Sequence, residues 1–171
     1  SVDHPGVKVV TSWAADGTLI FRRNADLMIR RPDGSIEPLL ATAAVESEAR
    51  LSPDNRWLAY SSDETGSGNV FVQSYPLGRG KWQISAAGGA QPMWAPDGRE
   101  LYFINANRMM VVAFELAPTF KPGVPRVLFE IPLPARDPGD PSRYGVSPDG
   151  KRFLVLTTDR PTAAPQLAPF H

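Results

Sequence analysis

A short turn motif that recurs four times constrains the fold of this chain more than any other feature. In each copy a large apolar residue stands three positions before an aspartate, and glycine or asparagine follows the aspartate directly. These residue types suit a tight reversal, because aspartate caps its own turn and glycine or asparagine accepts a positive φ. An apolar strand follows each copy, so each unit is predicted to be a β-hairpin. The motifs occupy residues 12–17, 51–55, 94–98 and 146–150.

The spacing of the motifs predicts the architecture. Their aspartates are 38, 43 and 52 residues apart, and they are Asp16, Asp54, Asp97 and Asp149. Periods of roughly 40 to 50 residues filled with several short strands are typical of propeller blades. The predicted fold class is therefore all-β, a partial β-propeller of four-stranded antiparallel blades, about three and a half of them. We predict fourteen strands, with a longer loop at residues 115–124 in the third blade.

The chain divides into three predicted parts, a lead-in, one propeller fragment and a proline-rich tail. They cover residues 1–8, 9–157 and 158–171. Within the fragment, three blades and a half-blade are predicted at residues 9–40, 48–85, 91–130 and 143–157. The tail is too rich in proline to supply two more paired strands, because proline has no N–H for a strand ladder. We therefore expect an open arc, or a propeller that a homodimer closes.

Composition excludes several classes of partner. Lys and Arg number 18 together, and so do Asp and Glu, so no net charge attracts nucleic acid. The chain has no cysteine, which excludes disulfides, thiolate metal sites and a cysteine nucleophile. No apolar run approaches the roughly 18 residues that span a bilayer, so direct membrane insertion is not expected. No secretory leader pattern follows Ser1.

The motifs of common enzymes are missing from the sequence. It contains no HExxH, no phosphate-binding loop and no GxSxG. The two histidines, His4 and His171, lie near the chain ends, where neither suits a triad or a metal site. The repeated aspartates follow turn positions, so capping is favoured over metal binding or acid catalysis. We predict no catalytic residue, no metal ligand and no cofactor.

The tryptophans are predicted to pack in the interior. Trp13 and Trp94 occupy the same position of the repeat, three residues before the aspartate, and are expected in the core. Trp57 and Trp82 lie at other strand positions, where packing between blades is favoured over ligand contact.

Residues six positions before each aspartate form the candidate site. The innermost strands of a propeller line its channel, so these equivalent residues should lie near one mouth. Core positions would all be apolar, but three of the four are polar and differ from one another. They are predicted to form a contact surface, with a plain solvated rim as the equal alternative. The set is Val10, Glu48, Gln91 and Arg143, and Asp63 and Glu64 are assigned to a neighbouring loop on the same face.

Two stretches closely resemble the TolB-type propeller repeat of bacteria. They are SPDNRWLAYSSDETGSGNVFVQSYP and GKWQISAAGGAQPMWAPDGRELYF, and the resemblance extends over residues 10–157. Similar propellers follow the kinase domain of bacterial eukaryotic-like serine/threonine kinases and occur in related exported proteins. The first repeat departs from the pattern, with Ala14 and Ala15 in place of Ser-Pro. The resemblance implies a propeller fold, a binding role and a periplasmic or other extracytoplasmic location.

Three functions are compatible with this sequence. The favoured one is a non-catalytic module that binds a protein, a peptide or a small ligand at its rim and channel, as the sensor part of a longer bacterial protein. The alternative is the gating propeller of an α/β-hydrolase peptidase whose catalytic domain lies outside this chain. A weaker third is a propeller enzyme such as a lactonase or lyase, which would need metal ligands or acid and base groups converging in the channel.

Overall fold

The protein is built from antiparallel strands joined by tight turns. The computed structural model describes residues 8–78, 80–115, 120–131 and 144–156. The first two blades contain β1 Lys8–Trp13, β2 Leu19–Arg23, β3 Asp26–Arg30, β4 Ile36–Leu40, β5 Glu46–Leu51, β6 Trp57–Ser62, β7 Asn69–Ser74 and β8 Lys81–Gln83. The remaining strands are β9 Ala90–Trp94, β10 Glu100–Asn105, β11 Arg108–Glu115, β12 Lys121–Pro122, β13 Arg126–Glu130, β14 Tyr144–Val146 and β15 Phe153–Val155.

These strands form three complete blades and a two-stranded half-blade. The first sheet has the order β1-β2-β3-β4 and the second β5-β6-β7-β8. The third contains β9, β10 and β11, and both β12 and β13 pair with β11. The half-blade is β14-β15. The strands β1, β5 and β9 begin successive sheets and contact one another in that order, as the innermost strands of a propeller do. The chain is a partial β-propeller.

One strand was not predicted. The expected loop at residues 115–124 contains β12, so the described residues hold fifteen strands and not fourteen. β11 is eight residues long, and β13 pairs only with its first half, Arg108–Val111. β12 pairs with the last two residues of β11, Phe114 and Glu115. The short strand therefore satisfies backbone groups that β13 leaves unpaired.

The repeated aspartates cap their turns as predicted. In each hairpin the Oδ1 atom accepts a hydrogen bond from the backbone N–H two residues further on. The N–H donors are Thr18 at 2.9 Å, Arg56 at 3.1 Å, Arg99 at 3.0 Å and Lys151 at 3.1 Å. The residue after each aspartate has a positive φ, between 55° and 88°. These contacts are local, which explains why the sequence pattern predicts them well.

Apolar side chains fill the space between consecutive sheets. Ile20 and Leu27 of the first blade pack against Leu58 and Tyr60 of the second. Equivalent layers lie between the second and third blades and between the third blade and the half-blade. The turns lie close to one another as well, since a Cβ built on Gly98 would lie 3.5 Å from Pro53 Cδ and one built on Gly150 would lie 3.4 Å from Pro96 Cδ.

Trp57 and Trp82 pack between blades, as predicted. Phe120 of the third blade lies against both tryptophans of the second, with ring centroids 4.1 Å from Trp57 and 4.5 Å from Trp82. Both tryptophans border the apolar layer between these two blades.

The prediction for Trp13 is wrong, whereas that for its repeat equivalent Trp94 is confirmed. Trp94 is 7% exposed, and its Nε1 donates a hydrogen bond of 3.1 Å to the backbone carbonyl of Arg50 in the preceding blade. Trp13 is 76% exposed. The position packs against the preceding blade, and no blade precedes the first among the described residues. Burial here depends on a neighbour and not on the residue type alone.

Gly89, the second of two adjacent glycines before the third blade, has a packing role. A Cβ on Gly89 would lie 2.6 Å from Oγ and 3.0 Å from Cβ of Ser85. The Ser85 hydroxyl is held in place, because it accepts a hydrogen bond from the Val70 N–H at 2.9 Å and donates one to Asn69 Oδ1 at 3.0 Å. The chain can enter β9 this closely only if residue 89 lacks a side chain.

We expect Gly89→Ala to lower the free energy of unfolding by about 1–3 kcal/mol, because the new methyl group would displace the fixed Ser85 side chain. Gly68→Ala is the matched control, since the nearest atom to its Cβ lies 4.0 Å away. Urea unfolding followed by circular dichroism measures both. Equal stability of the two variants would contradict the packing role of Gly89.

Stability is expected to fall in acid. Hydrogen bonds hold the pKa values of Asp16, Asp33 and Asp149 below the ordinary range, with Thr18, Ser35 and Ser147 as their donors. A carboxyl whose pKa is lowered on folding contributes stability above its unfolded pKa of about 4, and the contribution is lost as pH falls through the folded pKa.

The melting temperature should therefore decrease as the pH is lowered from 5 to 2. A variant with asparagine at positions 16, 33 and 149 keeps an oxygen acceptor in each turn but cannot titrate there. Its melting temperature should depend less on pH in the same range. An unchanged acid dependence in this variant would assign the effect to other groups.

Candidate binding surface at the channel mouth

Two neighbouring innermost strands carry the same backbone irregularity. In β5 one extra residue lies between Ser47 and Arg50, and in β9 one lies between Ala90 and Met93. Each bulge begins with a left-handed residue that is not glycine, Glu48 with φ 57° and Gln91 with φ 56°. Such a conformation costs about 1–3 kcal/mol and persists only where surrounding contacts impose it. Bulges of this kind re-aim side chains and are common beside functional sites.

The Glu48 carboxylate connects the second blade to the third. Its Oε2 accepts a hydrogen bond of 2.8 Å from the Ser61 hydroxyl in its own sheet. The same oxygen accepts a bond of 2.7 Å from the Gln91 backbone N–H in the next blade. A carboxylate that accepts two donors across a blade boundary fixes the relative position of the two innermost strands.

Gln91 connects the third blade to the half-blade. Its backbone carbonyl accepts a hydrogen bond of 2.7 Å from the Tyr144 hydroxyl. Tyr144 is buried, and burial raises its pKa above the ordinary value. Gln91 is itself only 4% exposed. Gln91 is therefore buried and is not part of an open rim.

Arg50 supplies a positive charge to this cluster. Burial lowers its pKa, and electrostatic attraction to Tyr144 and Glu48 partly offsets that effect. Its backbone carbonyl is the acceptor for the Trp94 indole. We refer to Glu48, Arg50, Gln91 and Tyr144 as the inner cluster, and it joins three consecutive blades.

Three loops lie at the edge of the arc where β5 and β9 begin, and this edge is called the mouth. Asp63 Oδ1 accepts a hydrogen bond of 2.8 Å from the Val45 N–H, and the Gly89 N–H donates one of 3.0 Å to the Gly68 carbonyl. Asn69 accepts one from the Gly88 N–H at 3.1 Å. The mouth loops, residues 41–45, 63–68 and 86–89, are therefore tied to one another.

The mouth carries several acidic groups. Asp63 and Glu64 are exposed, and Glu64 forms an ion pair with Lys81. Glu46 is only 1% exposed, and the Thr42 hydroxyl donates a hydrogen bond to its Oε1. Oε2 of Glu46 has no hydrogen-bond partner among the described residues. Lys81 thus offsets one of the three carboxylates on this edge.

The predicted site residues are partly brought together. Glu48 and Gln91 are in direct contact, and Asp63 and Glu64 lie in a loop on the same edge. Arg143 lies outside the described residues, as do His4 and His171. Sequence reasoning missed Tyr144 and Arg50. Tyr144 acts through its hydroxyl on a carbonyl 53 residues away, and no local pattern signals such a contact.

A cleft lies at the opposite edge of the arc, between two of the repeated turns. Its volume is about 440 Å³, and Asp97, Glu100 and Asp149 contribute to its walls. The Tyr102 hydroxyl donates a hydrogen bond of 3.0 Å to Glu100. Burial, together with that bond, raises the pKa of Tyr102 to about 12. Two of the three carboxylates cap their own turns.

Two features are absent from the residues that the structure describes, a cluster of metal-ligating side chains and a membrane-spanning helix. Within these ranges no three His, Asp or Glu side chains come together as a metal site requires. The same ranges contain no helix that is long and apolar enough to cross a membrane.

The fold defined by these blades is that of TolB-type propellers. TolB from Acinetobacter baumannii matches with a TM-score of 0.66 and 16% sequence identity over 91% of this chain and 38% of that protein. A protein assigned as TolB from Agrobacterium tumefaciens matches with a TM-score of 0.59 and 20% identity over 76% and 51%. The resemblance seen in the repeat sequence is therefore confirmed at the level of fold. It does not bear on whether a kinase domain precedes the arc.

A third similar structure carries an enzyme name. A protein assigned as a 6-phosphogluconolactonase from Bacteroides uniformis matches with a TM-score of 0.57 and 19% identity over 88% of this chain and 48% of that protein. No protein-family model and no curated protein matches the chain in sequence. At these identities the likeness is one of fold, and the chain spans about half or less of each similar structure.

We expect Glu48→Ala to lower the free energy of unfolding by about 1–3 kcal/mol, because the Gln91 N–H and the Ser61 hydroxyl lose their shared acceptor. Glu48→Gln retains an oxygen at this point and should lose less. Urea unfolding of the three proteins measures the difference. If alanine and glutamine variants are both as stable as the native chain, the carboxylate does not join the blades.

Proposed function

We propose that this arc is a non-catalytic binding module that holds a protein or peptide segment at its mouth. The inner cluster is the observation that carries the proposal. It keeps two strained, left-handed residues in neighbouring innermost strands, and it ties three blades together directly behind the mouth. A rigid, preorganised wall lowers the ordering cost that binding otherwise incurs.

The chemistry of the mouth favours a segment rich in hydrogen-bond donors. Asp63 carries an exposed negative charge in a loop of the second blade, and Glu48 adds a half-buried carboxylate and Glu46 a buried one. Lysine, arginine and peptide N–H groups complement such a surface. The mouth loops bond to one another through backbone groups and through Asn69, so little rearrangement is needed on binding.

Location and assembly are part of the same proposal. The resemblance to TolB-type repeats supports a place outside the cytoplasm, as the sensor part of a longer bacterial protein. A ring of blades has a complete mouth, whereas an arc presents only a sector of one. We propose that a second copy of the chain supplies the remaining blades in solution.

Selection of peptides from a random displayed library tests the binding role. Peptides recovered on the immobilised chain should lose affinity for Asp63→Asn by roughly fivefold or more, because a rim charge is removed. Asparagine still accepts the Val45 N–H, so the loop keeps its shape. Asp33→Asn is the matched control, an exposed turn-capping aspartate at the opposite edge of the first blade.

Calorimetric titration of the selected peptides measures these affinities. In one outcome the peptides bind the native chain and Asp63→Asn with equal affinity but bind Asp33→Asn more weakly. Such a result would place the binding site at the opposite edge. That result would contradict the proposed role of the mouth.

A further inference from the structure

The position three residues before each aspartate packs against the preceding blade. Leu51 lies in the layer between the first and second blades, and Val146 in the layer between the third blade and the half-blade. Trp94 is buried between the second and third blades, and its indole bonds to the Arg50 carbonyl. Trp13 holds this position in the first blade and is 76% exposed, and Val10 beside it is 61% exposed.

The other end of the arc exposes a face of the kind that packs against a following blade. In the second strand of each blade one position faces the following blade. Ile20, Ala59 and Tyr102 occupy it in the three complete blades, and each is at most 5% exposed. In the half-blade this position is held by Leu154. Leu154 pairs with Gly145, just as Ala59 pairs with Arg50, and Gly145 and Arg50 are equivalent residues of the repeat. Leu154 is 71% exposed and Leu156 is 57% exposed.

We propose that Trp13 docks on the half-blade of a second copy and that Leu154 of that copy lies beneath it. This inference rests on the proposed association of two copies and names the faces that meet. Trp94 shows the geometry, since its ring packs on the preceding sheet and its Nε1 bonds to the carbonyl of Arg50. In the dimer the equivalent acceptor for the Trp13 indole is the carbonyl of Gly145 in the second copy.

A second copy fits these faces better than an unrelated partner. Each arc has one face that needs a preceding blade and one that needs a following blade, so a twofold arrangement uses both faces of both copies. Two arcs together supply about seven blades, within the range of roughly four to eight found in closed propellers. The balanced charge of the chain does not oppose self-association.

Light scattering after size exclusion, over a dilution series of the 171-residue chain, tests the inference. We expect a dimer that dissociates on dilution. Trp13→Ala and Leu154→Asp should each weaken it by roughly 30-fold or more, since a central tryptophan and its apolar contact dominate such interfaces. Val124→Asp is the control, because Val124 is 88% exposed but lies at neither end face.

A mixing experiment distinguishes end-to-end closure from other dimers. Each single variant has both of its interfaces damaged. A mixed dimer of Trp13→Ala with Leu154→Asp has one interface that carries both substitutions and one that is intact. Mixing the two variants should therefore restore part of the dimer, and the melting temperatures of the separate variants, if native-like, show that both are folded.

Three results would overturn the inference. They are a monomer at every concentration, a dimer that tolerates Leu154→Asp, and a series of growing oligomers without a closed dimer. Failure here is separable from failure at the mouth. Peptide binding that stays sensitive to Asp63→Asn in a monomer would refute the dimer and leave the binding role intact.

Discussion

Packing of each innermost strand against the preceding sheet is the interaction on which the rest of this structure depends. It buries Trp94 and partly buries Leu51, and the inner cluster crosses the boundary at Trp94 and the next boundary along the chain. An isolated four-stranded sheet has two apolar faces and cannot bury either, so stability comes from the contact between repeats. The turn motifs follow the same contact, since a Cβ built on the glycine of one turn would lie 3.4–3.5 Å from the proline of the preceding turn.

The fold was predictable because its strongest signals are local. An aspartate that caps a turn two residues on needs no distant partner, and four such turns at blade-like spacing leave few alternatives to a propeller. The short strand β12 was not predictable in this way. It forms because β13 covers only part of β11, and that depends on strand lengths set by pairing along the whole sheet.

The candidate site was only partly predictable. The repeat offset placed Glu48 and Gln91 at equivalent points, and they do lie in contact. The position in the repeat does not predict the left-handed backbone at Glu48 and Gln91, because glutamate and glutamine are not residue types that indicate a positive φ. Nor does it indicate that Gln91 is buried while Tyr144 bonds to its carbonyl. Those facts arise from contacts across blade boundaries.

Trp13 and Trp94 show what a repeat sequence cannot encode by itself. The two residues are identical and equivalent, yet one is exposed and the other is buried by its neighbour. The same reasoning links assembly to binding. If the mouth spans both arcs of a closed ring, a ligand that touches both binds the dimer more tightly than either arc alone. By thermodynamic linkage that ligand must then strengthen the dimer by the same factor.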